Sequence, residues 1–334
     1  MAEPAPHTLT DLNTLRLPSR CAALFEVGSR AQLVDALAAA RPFGAPLILG
    51  GGSNIVLRGD YPGATVRIIT RGIAAQSQDD DWVLVTAEAG EPWHPFVDHC
   101  VSQGWYGLEN LALIPGTVGA APIQNIGAYG VEVKDYIDAV EVLDRANGRC
   151  YWIDNADCDF SYRDSVFKRG LRDAVVVLAV RFRLRRVAAL ELGYQGIRDA
   201  LRQLEQPTAR DLFDAVVALR QAKLPDPDQI PNAGSFFKNP VVDLVIYQQL
   251  RAQYPQLVAY PDGAGMKLAA GWLIDHAGWK GYVEGAVGVH DRQALVLVHR
   301  GGGTGEQLLQ LAARIQRDIR QRFGVELEIE PRIY

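Results

Sequence analysis

Cysteine is scarce in this chain. Its 334 residues hold four, Cys21, Cys100, Cys150 and Cys158. None form C-x-x-C, so neither a zinc site nor a disulfide framework is read, and four thiols fit a reducing compartment, the cytoplasm. The six histidines make no H-E-x-x-H or similar cluster, and no bound metal is expected. Net charge is −5, which argues against a broad nucleic-acid surface. No apolar run approaches the length of a membrane span. Met1–Pro6 lacks a basic region followed by an apolar core, so no signal peptide is expected.

Glycine, by contrast, is concentrated. One stretch is Leu49-Gly50-Gly51-Gly52-Ser53-Asn54, followed by the apolar Ile55-Val56-Leu57. A longer one runs Ile114-Pro115-Gly116-Thr117-Val118-Gly119-Ala120-Ala121-Pro122-Ile123-Gln124-Asn125-Ile126-Gly127-Ala128-Tyr129-Gly130. Backbone N–H groups in such segments can approach an anion closely, as a phosphate cradle requires. Two in one domain could grip a dinucleotide. Neither is the common fingerprint: Ile55 stands where G-x-G-x-x-G needs its third glycine, and no G-x-x-x-x-G-K-[ST] occurs. For Gly50–Gly52 a tight turn between strands is an equally good reading. The second stretch makes a poor helix or strand, and long irregular segments in compact domains are usually functional.

Residues 22–72 read as strand, helix, strand, Gly turn, strand. Ser29 and Gln32 form a capping box ahead of a face carrying Leu33, Leu37 and Ala40. Residues 81–88 read as a strand and 92–103 as a helix ending at Gly104. Val140–Leu143 and Val175–Phe182 read as strands around an irregular region. The pattern changes near 186–210. Thr208 then caps a helix with Leu212, Val216 and Leu219 on its apolar face, ending at Lys223-Leu224-Pro225-Asp226-Pro227. Near the end come a strand at 295–298, a turn at Gly301–Gly303, a helix over 306–323, Gly324 as its C′ residue, and a strand alternating Val325, Leu327 and Ile329 with Glu326, Glu328 and Glu330. Gly301–Gly305 reads as a simple strand–helix connection or as a phosphate site. The expected class is α+β with mixed sheets.

Seven segments in order make the chain resemble one family, the UDP-N-acetylenolpyruvoylglucosamine reductases. They are Leu49–Asn54, Gly107–Gly116, Asn125–Gly130, Tyr162–Ser165, Lys223–Pro227, Ala233–Pro240 and Lys267–Asp275. The resemblance runs from Asn13-Thr14 to Pro331, and Tyr194 and Tyr260 suit the longer, type I class. It implies a two-lobed FAD-binding module of the vanillyl-alcohol-oxidase type over 17–187 (lobes 17–74 and 75–187). A smaller α+β substrate-binding domain would span 205–322, and a C-terminal strand, 323–334, would return to the active site. The implied reaction is NADPH-dependent reduction, through tightly but non-covalently bound FAD, of UDP-N-acetylglucosamine enolpyruvate to UDP-N-acetylmuramate, a peptidoglycan precursor. A cytoplasmic monomer is implied as well.

The resemblance also implies roles. Arg163 would bind the substrate carboxylate, Ser235 would protonate the carbanionic carbon, and Glu330 would be the second stabilising group. Gly50, Gly51, Gly52, Ser53 and Asn54 would cradle the FAD pyrophosphate. Pro115, Gly116, Gly119, Ala120, Pro122, Gln124, Asn125, Gly127 and Ala128 would complete the cofactor site. Tyr162, Tyr194, Lys223, Asn239, Tyr260 and Gln293 would contact the substrate. Three residues depart from the family: Ala120-Ala121 replaces two serines, and Leu15 replaces an aromatic residue. Singly, each catalytic candidate has a plainer reading: Glu330 as a solvated glutamate on a polar strand face, Arg163 as a partner of Asp164 or another loop carboxylate, Ser235 as a turn serine. Two other functions stay open at this level. An oxidase on the same scaffold would lack Ser235 and Glu330 in these contexts, and a non-catalytic nucleotide-sugar binder would hold no flavin.

Overall fold

The computed structural model describes residues 7–334. The chain divides into two units, each with its own apolar core. The first comprises His7, Cys21–Gly51 and Pro62–Ala222; the second comprises Thr8–Arg20, Gly52–Tyr61 and Lys223–Tyr334.

In the first unit, the strands Arg20–Val27, Tyr61–Ile68 and Leu47–Leu49 lie side by side, with His7–Thr8 on the outer edge. Leu47–Leu49 runs parallel to Tyr61–Ile68, as the intervening crossover requires. The helix Arg30–Ala40 connects Arg20–Val27 to Leu47–Leu49. Ser29 accepts from the Gln32 N–H as expected, but Gln32 Oε1 accepts in return from the Gly28 N–H, one residue before the cap. Leu33, Ala36 and Ala40 are buried and Leu37 is half-buried.

A five-stranded, antiparallel sheet follows, in the order Cys150–Asp154, Ile137–Asp144, Val175–Arg185, Trp82–Glu88, Ile73–Ser77. Its edge strand Cys150–Asp154 lies in the region the sequence reads as irregular. Only Ile153 of its five residues is buried, so no alternation marks it. The helix Trp93–Ser102 begins after Pro92 and ends before Gly104, which has φ +75°. It packs Trp93 and Phe96 against Phe182, with ring centroids 5.1–6.0 Å apart. Each such fully buried ring stabilises the unit by about 1.5–3 kcal/mol. The helix Ala209–Lys223 buries Leu212, Phe213 and Val216. Thr208 and Asp211 exchange capping bonds at its start.

The second unit has a four-stranded sheet ordered Asn232–Ser235, Val296–His299, Val287–Val289, Val283–Glu284, and a three-stranded sheet ordered Val241–Asp243, Gly265–Leu268, Ala259–Asp262. The long helix Gly305–Phe323 buries Leu308, Ala312, Ile315 and Ile319, which recur on one face. Thr304 and Gln307 form its capping box, and Gly324 closes it in the left-handed region. Gly301–Gly305 is a connection with a packing constraint: a Cβ on Gly305 would lie 1.9 Å from the Leu57 carbonyl oxygen.

One local expectation fails. Residues 325–330 alternate as read, Val325 and Leu327 being buried, but they form no extended ladder. The segment meets 236–238 at a single bridge, Phe237 with Ile329. The strand proper is Arg332–Ile333, parallel to Ile55–Val56.

Candidate active site

In the first unit the two glycine-rich stretches meet. A Cβ on Gly50 would lie 2.6 Å from Thr117 Oγ1, and one on Gly51 would lie 3.1 Å from Gly116 Cα. The absence of side chains at both positions lets the two segments approach closely. Gly119 is as constrained: its N–H donates to the Ala89 carbonyl at 2.9 Å, and an added Cβ would stand 2.5 Å from Ala89 Cβ. Ala120 and Ala121 belong to the same short helical turn and its exit, so this loop is organised by main-chain bonds rather than by the two hydroxyls it lacks. Pro122 is buried, Pro115 exposed and Gln124 half-buried.

Asn125, buried and at φ +46°, ties the next turn together. Its Nδ2 donates to Glu132 Oε2 and to the Ser161 carbonyl, each at 2.9 Å, and its Oδ1 accepts from the Lys134 N–H. Asn110 plays a similar part. Its Nδ2 donates to the carbonyls of Tyr129 and Glu191 at 3.1 and 3.0 Å. Neither of these linking roles is visible in sequence, because their partners are distant along the chain.

Arg163 sits at the tip of a tight hairpin closed by reciprocal backbone bonds between Ser161 and Asp164. Its φ is +54°, a conformation a non-glycine residue adopts at a cost and retains where its surroundings enforce it. Leu113, Asn125 and Tyr129 share this conformation at φ +59°, +46° and +51°. Arg163 Nη2 donates to the Gly127 carbonyl at 2.7 Å, and Nη1 donates more weakly to that of Asn125 at 3.4 Å. The guanidinium lies 5.2 Å from the Tyr162 ring centroid. Asp164 instead pairs with Arg169, so the plain reading of Arg163 as its partner does not hold. Gly127 and Ala128 form a two-residue strand against Val131–Glu132. Tyr129 and Tyr194 meet edge to face at 4.9 Å, with Tyr194 exposed.

Two ionisable groups near this region are perturbed by burial. His94 stacks on Phe213 and accepts the Leu113 N–H; burial lowers its pKa, with Asp98 opposing and Arg220 reinforcing. Glu109 accepts the Gly107 N–H, and burial raises its pKa.

The second unit carries the other candidates. Ser235 ends the strand Asn232–Ser235, opposite Val296. The turn before it is set by Asn232, whose Oδ1 accepts the N–H of Gly234 at φ +69°. The Glu330 N–H donates to the Phe236 carbonyl at 2.9 Å. Ser235 and Glu330 therefore stand on adjoining segments, one residue out of register. Glu330 is half-buried, unlike Glu326 and Glu328, which are exposed. That separates it from its neighbours on the polar face. Glu328 pairs with Lys238 at 2.6 Å.

Gly52 also lies in this unit, at φ +63°, where a Cβ would stand 2.0 Å from the Leu12 carbonyl oxygen. Ser53 and Asn54 follow it, half-buried. Asn239 Oδ1 accepts the Ala270 N–H at the start of the helix Ala270–His276. Gln293 lies in the turn before Val296–His299, and Tyr260 and Lys223 are exposed.

Residues 21–154 match the family model described as "FAD binding domain", and 226–334 match "UDP-N-acetylenolpyruvoylglucosamine reductase, C-terminal domain". A UDP-N-acetylenolpyruvoylglucosamine reductase of Pseudomonas fluorescens is 52% identical over 332 residues, covering 98% of this chain and 97% of its own. The chain belongs to the UDP-N-acetylenolpyruvoylglucosamine reductase family. A reductase of Pseudomonas aeruginosa, 50% identical, covers the same shares. Among solved structures, the family's reductase from Thermus caldophilus superposes with a TM-score of 0.65 at 23% identity, over 98% of this chain and 99% of that one. A solvent-stable cholesterol oxidase superposes at 0.50 and 11% identity, over 98% and 87%. These two likenesses concern the fold, which is the FAD-binding α+β architecture expected from sequence.

Proposed function

We propose that this protein reduces the enolpyruvyl group of UDP-N-acetylglucosamine enolpyruvate to the lactyl ether, giving UDP-N-acetylmuramate, with FAD as resident cofactor and NADPH as reductant. The observation that carries this reading is that Ser235 and a half-buried Glu330 stand on segments joined by the Phe236–Glu330 backbone bond, in a chain that matches a family member over 98% of its length.

The glycine contacts support FAD binding. Gly50 and Gly51 lie close against Thr117 and Gly116, and segments without side chains leave main-chain N–H groups to face an anion. Gly50–Asn54 would hold the pyrophosphate. Pro115, Gly116, Gly119, Ala120, Pro122, Gln124, Asn125, Gly127 and Ala128 would complete the cofactor site. Bound flavin supplies hydride chemistry.

The remaining roles fall to side chains. Reduction at the terminal vinyl carbon drives charge toward the carboxylate. Arg163 would bind that carboxylate with a fork that matches two oxygens. Glu330 would stabilise the same developing charge, which a carboxyl group does only as a protonated donor. Ser235 would deliver a proton from its hydroxyl to the adjacent carbon. Tyr162, Tyr194, Lys223, Asn239, Tyr260 and Gln293 would hold the rest of the substrate, Lys223 neutralising the diphosphate. We assign residues 17–187 to the FAD module, 205–322 to substrate binding and 323–334 to the returning strand. We place the enzyme in the cytoplasm as a monomer.

Anaerobic incubation of the FAD-loaded protein with NADPH and the enolpyruvyl substrate tests the reading by mass spectrometry. A product heavier by two hydrogens supports it. NADPH consumption only when oxygen is admitted, with unchanged substrate, would overturn it.

A further inference from the structure

The hairpin that carries Arg163 rests on the segment 123–127. Ser165 Oγ donates to the Ile123 carbonyl at 2.6 Å, and the Arg163 guanidinium donates to the carbonyls of Asn125 and Gly127. The fork therefore takes part of its aim from the backbone of Asn125 and Gly127.

Both of those residues are held by Glu132. At Asn125, Nδ2 donates to the Ser161 carbonyl at the base of the hairpin and to Glu132 Oε2, each at 2.9 Å. That uses both donors of the amide. Lys134 closes the arrangement: its N–H donates to Asn125 Oδ1 at 3.1 Å, and its Nζ lies 2.9 Å from the same Glu132 Oε2. At Gly127, the residue facing it in the two-residue ladder is Glu132. A Cβ on Gly127 would lie 3.1 Å from Arg163 Nη1 and 3.2 Å from Glu132 Cγ, so the two side chains pack at the same glycine. The ion pair with Lys134 is partly exposed, and such pairs contribute little by themselves. The contacts to Asn125 and Gly127 bear on the guanidinium instead.

We propose that Glu132 is a positioning residue for the reduction. Its Oε2 fixes the Asn125 amide, and through Asn125 and Gly127 it sets the angle at which the Arg163 fork receives the substrate carboxylate. The inference rests on the reductase reading, in which Arg163 binds that carboxylate.

Three variants of the FAD-loaded protein test it by stopped-flow measurement of the two half-reactions. Glu132→Met keeps the stem and removes the acceptor. Glu132→Gln puts an amide oxygen where Oε2 stands. Glu132→Asp keeps the charge for Lys134 but is one methylene short of Asn125. Glu132→Met is expected to slow flavin reoxidation by the enolpyruvyl substrate about 10- to 100-fold, the scale of a displaced substrate-positioning group. The KM for that substrate should rise, while FAD content and flavin reduction by NADPH stay as in wild type. Glu132→Gln should lie closest to wild type and Glu132→Asp between the two; this pair carries the test if the methionine variant does not fold. An aspartate variant closer to wild type than the glutamine one would overturn the proposal, since the charge paired with Lys134 would then be what matters. Equal slowing of both half-reactions, loss of FAD in step with activity, or no change in any variant would overturn it as well. If the reduced wild-type flavin is not reoxidised by the enolpyruvyl substrate, the reductase reading itself falls and takes this inference with it.

Discussion

Arg163 Nη2 donates to the Gly127 carbonyl oxygen at 2.7 Å. This bond fastens the hairpin carrying the guanidinium to the Asn125–Gly130 segment and leaves the orientation of the fork fixed by main chain. Arg163→Lys can still reach one carbonyl but presents no fork. It is expected to lower kcat/KM about 10²- to 10³-fold, with rapid NADPH-driven flavin reduction preserved. Stopped-flow measurement of the two half-reactions checks this; equal slowing of both would rule out a role at the substrate.

The close approach of Gly119 to Ala89 gives a stability prediction. An added Cβ would meet Ala89 Cβ at 2.5 Å and the Ala89 backbone at 3.0–3.1 Å. Gly119→Ala is expected to cost about 1–3 kcal/mol, the usual penalty of overpacking. Gly59→Ala, with nothing within 4 Å of the new methyl, is the control and should be neutral or slightly stabilising. Urea denaturation of both variants decides; similar losses in the two would show that the contact is not what matters.

Ser235→Ala should leave flavin reduction by NADPH intact and slow reoxidation by substrate about 10²-fold or more, as expected for a lost general acid. Glu330→Ala should raise the barrier of the same step by about 3–4 kcal/mol. Glu330→Gln should be milder, because an amide still donates a hydrogen bond. Single-turnover rates for the three variants give the order. A glutamine variant as impaired as the alanine one would mean that donation is not the role of Glu330.

Stability should depend on pH through buried histidines. Burial lowers the pKa of both His94 and His290. In each case the unfolded chain takes up a proton that the folded chain resists. Their contribution is therefore complete above about pH 7 and is lost as pH falls through the ordinary value near 6.5. Glu109 works in the opposite sense, since burial raises its pKa. His94→Gln, which can still accept the Leu113 N–H, isolates one term. Its unfolding free energy should fall less than that of wild type between about pH 7.5 and 5.5. An unchanged slope would contradict the assignment.

What could be read in advance follows a physical division. Ser29, Thr208, Thr304 and Gly324 mark helix ends through bonds made within a few residues, so their side-chain chemistry announced them. Cys150–Asp154 escaped notice because four of its five residues are not buried. Alternation at 325–330 foretold which side chains are buried but not the absence of a ladder, since pairing depends on a distant segment. The motif residues were found by resemblance, yet the contact between Gly51 and Gly116 arises only when separated segments meet.

The most direct measurement is an anaerobic visible spectrum of the purified, FAD-loaded protein, taken after NADPH and again after UDP-N-acetylglucosamine enolpyruvate. Bleaching by NADPH followed by return of the oxidised spectrum on adding the enolpyruvyl substrate is the expected result. Bleaching that only oxygen reverses would contradict it and would make the chain an oxidase on the same scaffold.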